Sequence, residues 1–180
     1  MSAGRGNVQM SDEKSAVKKL PILIRKARSF IRRSTFEKIW LLPVWIMLGI
    51  SRFLILTIHF RRMAPLLGIQ SGICPWVPLL DPVAEARALS IARVVQMASR
   101  YTPWVSNCFP QAVTARILLG LYGVPYCLYF GVSRDAADSD MKAHAWVATG
   151  RVRVTGGASF GQFAVVGCFA SSDQNAVSLN

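Results

Sequence analysis

Residues 106–123, Ser106-Asn107-Cys108-Phe109-Pro110-Gln111 and on through AVTARILLGLYG, form the stretch whose reading decides the fold. A polar pair precedes Cys108, and Pro110 falls where a first helical turn tolerates proline. The run Ala112–Tyr122 keeps an apolar face until Gly123 can stop it. Proline near the start and glycine just past the end is the expected polarity of a helix. Cys108 therefore stands at a helix mouth. A thiol there faces unpaired backbone N–H groups and the positive end of the helix dipole, a setting in which nucleophilic cysteines occur. Downstream, His144 lies in Ala143–Val147 (AHAWV), just after the acidic, polar loop Ser133–Lys142, and that segment reads as a strand. A cysteine and a histidine distant in sequence can meet in the fold as nucleophile and base. The plainer alternative is a half-buried core cysteine and an unrelated surface histidine.

The chain of 180 residues is long enough for one domain with a real core plus an appendage. Its hydrophobic share of 52% and net charge of +12 are both high for a soluble enzyme. The charge is concentrated. Residues 1–63 hold thirteen Lys and Arg against three acids, while residues 64–180 hold eight against six. A basic segment beside an apolar one points to an anionic membrane surface or an acidic partner. Nucleic acid ranks low, because the basic residues flank an apolar helix and form no nucleic-acid module. The four cysteines, Cys74, Cys108, Cys127 and Cys168, have no paired spacing. That argues against a zinc site or a disulfide scaffold and for a reducing, cytoplasmic setting. With His59 and His144 the only histidines, a histidine-rich metal centre is excluded, and no cofactor is expected.

Along the chain, residues 1–19 read as a disordered tail, 20–63 as basic and apolar helices, and 64–82 as a Pro- and Gly-rich connector. The catalytic domain is expected at 83–170, with a tail at 171–180. Pro21–Arg33 is a basic amphipathic segment. Ser34 and Thr35 then cap a helix with Glu37 in its first turn. From Ile39 to Phe60 the chain is apolar enough to cross a bilayer, which needs about 20 residues. Arg52 falls inside this run, and a central arginine costs about 2.5–3.5 kcal/mol on insertion scales. An interfacial helix, or one packed on the core or a partner, is preferred to a span. Asp81 caps a helix over Pro82–Arg100, and strands are expected at Tyr126–Val132, from His144, at Val152–Thr155 and at Phe163–Phe169. Helices packed on a small antiparallel sheet make an α+β fold.

Cysteine on a helix start followed by histidine on a strand is the order of papain-like and transglutaminase-like cysteine enzymes. Several segments narrow this: Cys108-x-x-x-Ala112 with Leu118-Leu119, Gly123-Val124-Pro125, Gly131-Val132, Ala143–Val147, and Val154-Thr155-Gly156. Together they resemble the lasso peptide leader peptidases, the microcin-processing proteins whose C-terminal domain is transglutaminase-like. The similarity covers Ala84–Phe169, and the preceding helices resemble the stand-alone form that lacks the leader-recognition module. The resemblance implies a cysteine protease that removes the leader from a ribosomal lasso peptide precursor. Cys108 would be the nucleophile and His144 the general base, then acid. The implied partners are the precursor peptide, a separate leader-recognition protein and an ATP-dependent macrocyclase, with peripheral membrane contact through 21–62. Trp146 is expected to pack in the core, and Gln111 to lie on the helix surface.

The pattern departs at one place. The family's third residue, an Asp on the next strand, corresponds here to Gly156, leaving Thr155 as a candidate orienter of His144. On that reading Gly156→Asp should raise the rate, provided the glycine's backbone angles tolerate a side chain. Two other classes compete: a non-catalytic peptide-binding module of a maturation complex, and a transglutaminase-like acyl transferase.

Overall fold

The structure, a computed structural model, describes residues 33–72, 78–134, 141–157 and 161–171. The expected tails, the basic segment Pro21–Arg32 and Cys74 lie outside the described residues. The chain divides into two compact units, residues 1–38 and 39–180. Of the first, the described part is 33–38. There Ser34 Oγ accepts from the Glu37 N–H at 3.3 Å, and Arg33 pairs with Glu37 at 3.6 Å, so Ser34 caps the helix as its sequence predicts.

That helix is α1, Thr35–Thr57, followed by α2, Phe60–Leu67. Strand β1, Ile69–Gln70, follows, and then helices α3, Pro82–Ser99, and α4, Cys108–Leu121. Strands β2, Cys127–Arg134, β3, Met141–Thr149, β4, Val152–Arg153, and β5, Ala164–Ala170, complete the described elements. The strands form one antiparallel sheet in the order β1-β5-β2-β3-β4. The stretch read as connector thus begins with the end of α2 and an edge strand. Its prolines and glycines conceal a two-residue pairing, Ile69 with Ala170 and Gln70 with Phe169, too short to show period-two alternation.

Helix α3 starts where Asp81 accepts from the Ala84 N–H at 2.7 Å, with Pro82 in the first turn. Its buried face, Ala88, Ile91, Val94, Val95 and Ala98, meets α4, and α4 packs on β3. Helix α4 buries Ala112, Val113, Thr114, Ala115, Leu118 and Leu119. Tyr126 ties three parts together: its hydroxyl accepts from Arg116 Nε at 2.8 Å and donates to Leu67 O at 3.1 Å. β2 is the central strand. It pairs with β3 along its whole length and with β5 on the other side, where Val166 makes a bulge opposite Phe130 and Gly131.

From Ile39 onward, α1 is two-faced. Val44 and Leu48 are fully buried, whereas Ile39, Leu42, Ile46, Ile50, Phe53 and Leu56 are exposed. Polar bonds fix the inner face. Trp40 Nε1 donates to the Tyr122 hydroxyl at 2.7 Å and Trp45 Nε1 to Tyr101 O at 3.1 Å. Ser51 and Thr114 share a buried hydrogen bond of 3.3 Å. Arg52, the residue that made a span costly, donates to Val105 O. Pro43 sits inside the helix on the exposed side, where a missing N–H is easiest to tolerate.

If α1 is part of this core, Leu48→Ala should lower the unfolding free energy by about 2–5 kcal/mol, the range for buried leucines. Leu56→Ala, on the outer face, should change it by less than about 0.5 kcal/mol. Denaturant unfolding checks both, and equal effects would contradict the packing.

Candidate active site

Cys108 is the first residue of the 14-residue helix α4, with Asn107 as N-cap making no side-chain cap bond. It is half-buried. The loop that delivers it is bonded internally and braced from α1. The Thr102 hydroxyl lies 3.0 Å from Ser99 O, 2.9 Å from Trp104 O and 3.0 Å from Ser106 Oγ. Gln111 Nε2 donates back to Ser106 O at 2.8 Å. From α1, Trp45 packs against Trp104 with the rings 4.8 Å apart and tilted at 51°, while Trp45 and Arg52 bond the carbonyls of Tyr101 and Val105.

His144 comes from β3, directly opposite Gly131 of β2. Cys108 and His144 line the same cleft, a cavity of about 340 Å³ between α3, the start of α4, β3 and the segment after β4. The fold therefore brings the two sequence-predicted residues to one wall-to-wall space. Thr155 and Gly156 line it as well. Gln111, expected on the helix surface, also faces this cleft, because its bond to Ser106 turns it inward. Arg93 and Arg153 are its charged lining residues. Neither stands out in the sequence, since each is one arginine among many in a basic chain. Among the described residues, no group of three His, Cys, Asp or Glu is placed to hold a metal ion.

The imidazole is held by stacking. Its ring lies 4.9 Å from Phe163 and 5.8 Å from Trp146, at 27° and 26° to them. Trp146 is 2% exposed and stacks in turn on Tyr129 at 5.6 Å, the core position its sequence suggested. His144 Nε2 is buried and has no hydrogen-bond partner among the described residues. Such an atom costs about 1–3 kcal/mol, and native folds keep few of them.

Thr155, the candidate orienter, turns elsewhere. Its hydroxyl oxygen accepts from the Val147 N–H at 3.0 Å and its own N–H bonds Val147 O at 3.2 Å, so it fixes β3 to the segment after β4. Gly156 explains the missing carboxylate in steric terms. Its φ is +88°, and a Cβ there would lie 2.4 Å from Trp146 Cβ and 3.3 Å from His144 Nε2. The backbone itself closes on the imidazole, and no side chain fits. The expected gain from Gly156→Asp is therefore overturned by this geometry.

The other described cysteines lie in the core. Cys127 and Cys168 are fully buried. A hydrogen bond from Cys168 holds the Cys127 thiol below its usual value, although burial pushes it up.

With fold and cleft in view, the family follows. Residues 54–168, from the last turn of α1 into β5, match the domain model of the transglutaminase-like superfamily. The chain belongs to that superfamily, whose members are typically cysteine peptidases or transferases. No curated protein and no solved structure matches the chain.

Two outcomes follow from this geometry. Iodoacetamide on the native protein should alkylate Cys108 and spare Cys127 and Cys168 until unfolding, as peptide mass mapping would reveal; early labelling of the buried pair would contradict it. Gly156→Asp should destabilise the fold by more than about 1 kcal/mol, as a side chain forced to positive φ does, and should not speed Cys108 alkylation. A stable, faster variant would show that the site has room for the carboxylate.

Proposed function

We propose that the chain is a cysteine protease that removes the leader of a lasso peptide precursor. The observation that carries this is Cys108, at the head of α4, facing the same cleft as His144 in a transglutaminase-like domain. The lasso-peptide reading adds the motif resemblance around Cys108, Gly123–Pro125, Gly131-Val132 and Ala143–Val147. In this scheme His144 takes the Cys108 thiol proton as sulfur attacks the scissile carbonyl carbon. The backbone N–H of Cys108 donates to the developing oxyanion. Collapse breaks the C–N bond, and His144 gives its proton to the departing amine. Water, deprotonated by His144, then cleaves the thioester and frees the leader's carboxylate. The released amine is the new N-terminus that an ATP-dependent macrocyclase joins to an acidic side chain. A separate leader-recognition protein delivers the precursor.

One observation favours a second reading. His144 Nε2 lacks a hydrogen-bonding orienter, so the cleft would suit a peptide-binding module without turnover. Cleavage of the precursor by purified protein, followed by mass spectrometry, separates the two. Cys108→Ala should abolish leader removal, while Cys74→Ala should leave it intact. Undiminished cleavage by Cys108→Ala ends the protease reading, and an amide-linked product in place of free acid assigns the protein to acyl transfer.

A place of action at a membrane surface is supported by α1, which is long and apolar enough to cross a membrane, with a mean hydropathy of 2.0. Its inner face is bonded to the catalytic unit, which suits a helix lying on a surface. The outward stripe from Ile39 to Leu56, followed by exposed Arg61 and Arg62, matches the inner leaflet's anionic lipid. The full chain should co-sediment with anionic vesicles, less so with neutral ones or in high salt. Ile46→Glu with Phe53→Glu should abolish that binding. A wild-type chain that ignores anionic vesicles would contradict the membrane placement.

A further inference from the structure

We infer that His144 is set in its working orientation by an aromatic cluster, with Phe163 as the positioning residue, in place of a hydrogen-bonded orienter. The inference rests on the reading of His144 as the base of Cys108. A histidine that works beside a nucleophile is ordinarily fixed by a bond to its far ring nitrogen. Here Nε2 makes no such bond among the described residues. Nε2 is buried without a partner, and Gly156 backs onto it so closely that an added Cβ would stand 3.3 Å away.

What remains to fix the ring is aromatic contact on two neighbouring sides, since the rings of Phe163 and Trp146 are themselves only 6.5 Å apart. Phe163, at the entry to β5, lies 4.9 Å from the imidazole at 27°. Trp146, two residues along β3, lies 5.8 Å away at 26°. Offset, near-parallel rings at these distances attract beyond simple burial. The cluster also has room made for it. Gly131 faces His144 across the strand pair, and a Cβ there would stand 2.7 Å from the Trp146 indole and 2.9 Å from Phe163 Cβ. Any larger residue would force the rings apart. Trp146 is already engaged with Tyr129 in the core. Phe163, half-buried and outside the regular strand, is the member that can be changed with least damage to the fold.

A readout specific to stacking is available because the chain has two histidines. His59 is an exposed N-cap without a side-chain cap bond, so His59→Gln identifies the His144 signal. In the native chain, the His144 ring protons should be shifted upfield by the ring currents of its neighbours. Phe163→Leu should remove much of that shift and slow iodoacetamide alkylation of Cys108 by about tenfold or more, as misplacing a reacting group does. Phe163→Tyr should retain both. A purely structural role would lower the melting temperature of Phe163→Leu yet leave the alkylation rate of the folded fraction unchanged. That result overturns the inference, as does an unshifted His144 ring in the native chain. If Phe163→Leu does not fold, Phe163→Met carries the same test. A native Cys108 no more reactive than a free thiol, with His144 nonetheless upfield-shifted, would refute the cluster's catalytic role through the base reading and leave its geometry standing.

Discussion

Trp146 occupies the middle of β3, and it takes space that two other residues must leave empty. Gly131 on β2 lacks a side chain where the indole sits, and Gly156 beyond β4 lacks one where the Trp146 Cβ sits. This one packing demand fixes how the strands approach around His144. It draws Gly156 onto the imidazole edge and lets Phe163 close over the imidazole face. It also removes any place for a carboxylate. The site has thereby exchanged a polar support for an apolar one. Stacking fixes a ring plane, but it leaves Nε2 unsatisfied at about 1–3 kcal/mol.

The other half of the cleft depends on α1. The loop before α4 has little apolar burial of its own, and its carbonyls at Tyr101 and Val105 are bonded by side chains from α1. Trp104 packs against Trp45 of the same helix. The apolar helix is therefore a brace for the cysteine-bearing loop, and its other side is an exposed apolar stripe. This ties the two unusual features of the composition together. The hydrophobic excess has an inner face that positions the thiol, and an outer stripe suited to lipid.

Local signals carried most of what was legible in the sequence. The Asp81 cap, Gly123 after α4 and the aromatic run of β2 are short-range features, and each element forms where its residues predict. Cys108 and His144 could be singled out because a helix start and a motif mark them. Long-range features stayed hidden. Phe163 reads as an ordinary strand residue, since nothing in its neighbourhood announces that β5 and β3 bring it over His144. Gly156 reads as a lost carboxylate, whereas its backbone angle and the Trp146 Cβ beside it show a position closed to side chains. Thr155 looked available to the imidazole, yet its hydroxyl belongs to the Val147 amide. The edge strand β1 is too short for any periodicity to show.

Cys108 and His144 share a cleft in a transglutaminase-like domain, and the central claim is that they work as one pair. The most direct test is the second-order alkylation rate of Cys108 near neutral pH in the native chain and in His144→Ala. If the imidazole activates the thiol, the substitution should slow alkylation by about a hundredfold, the low end of what a positioned base contributes. An unchanged rate in a correctly folded His144→Ala protein would contradict the pairing and leave a cleft that binds peptides without cutting them.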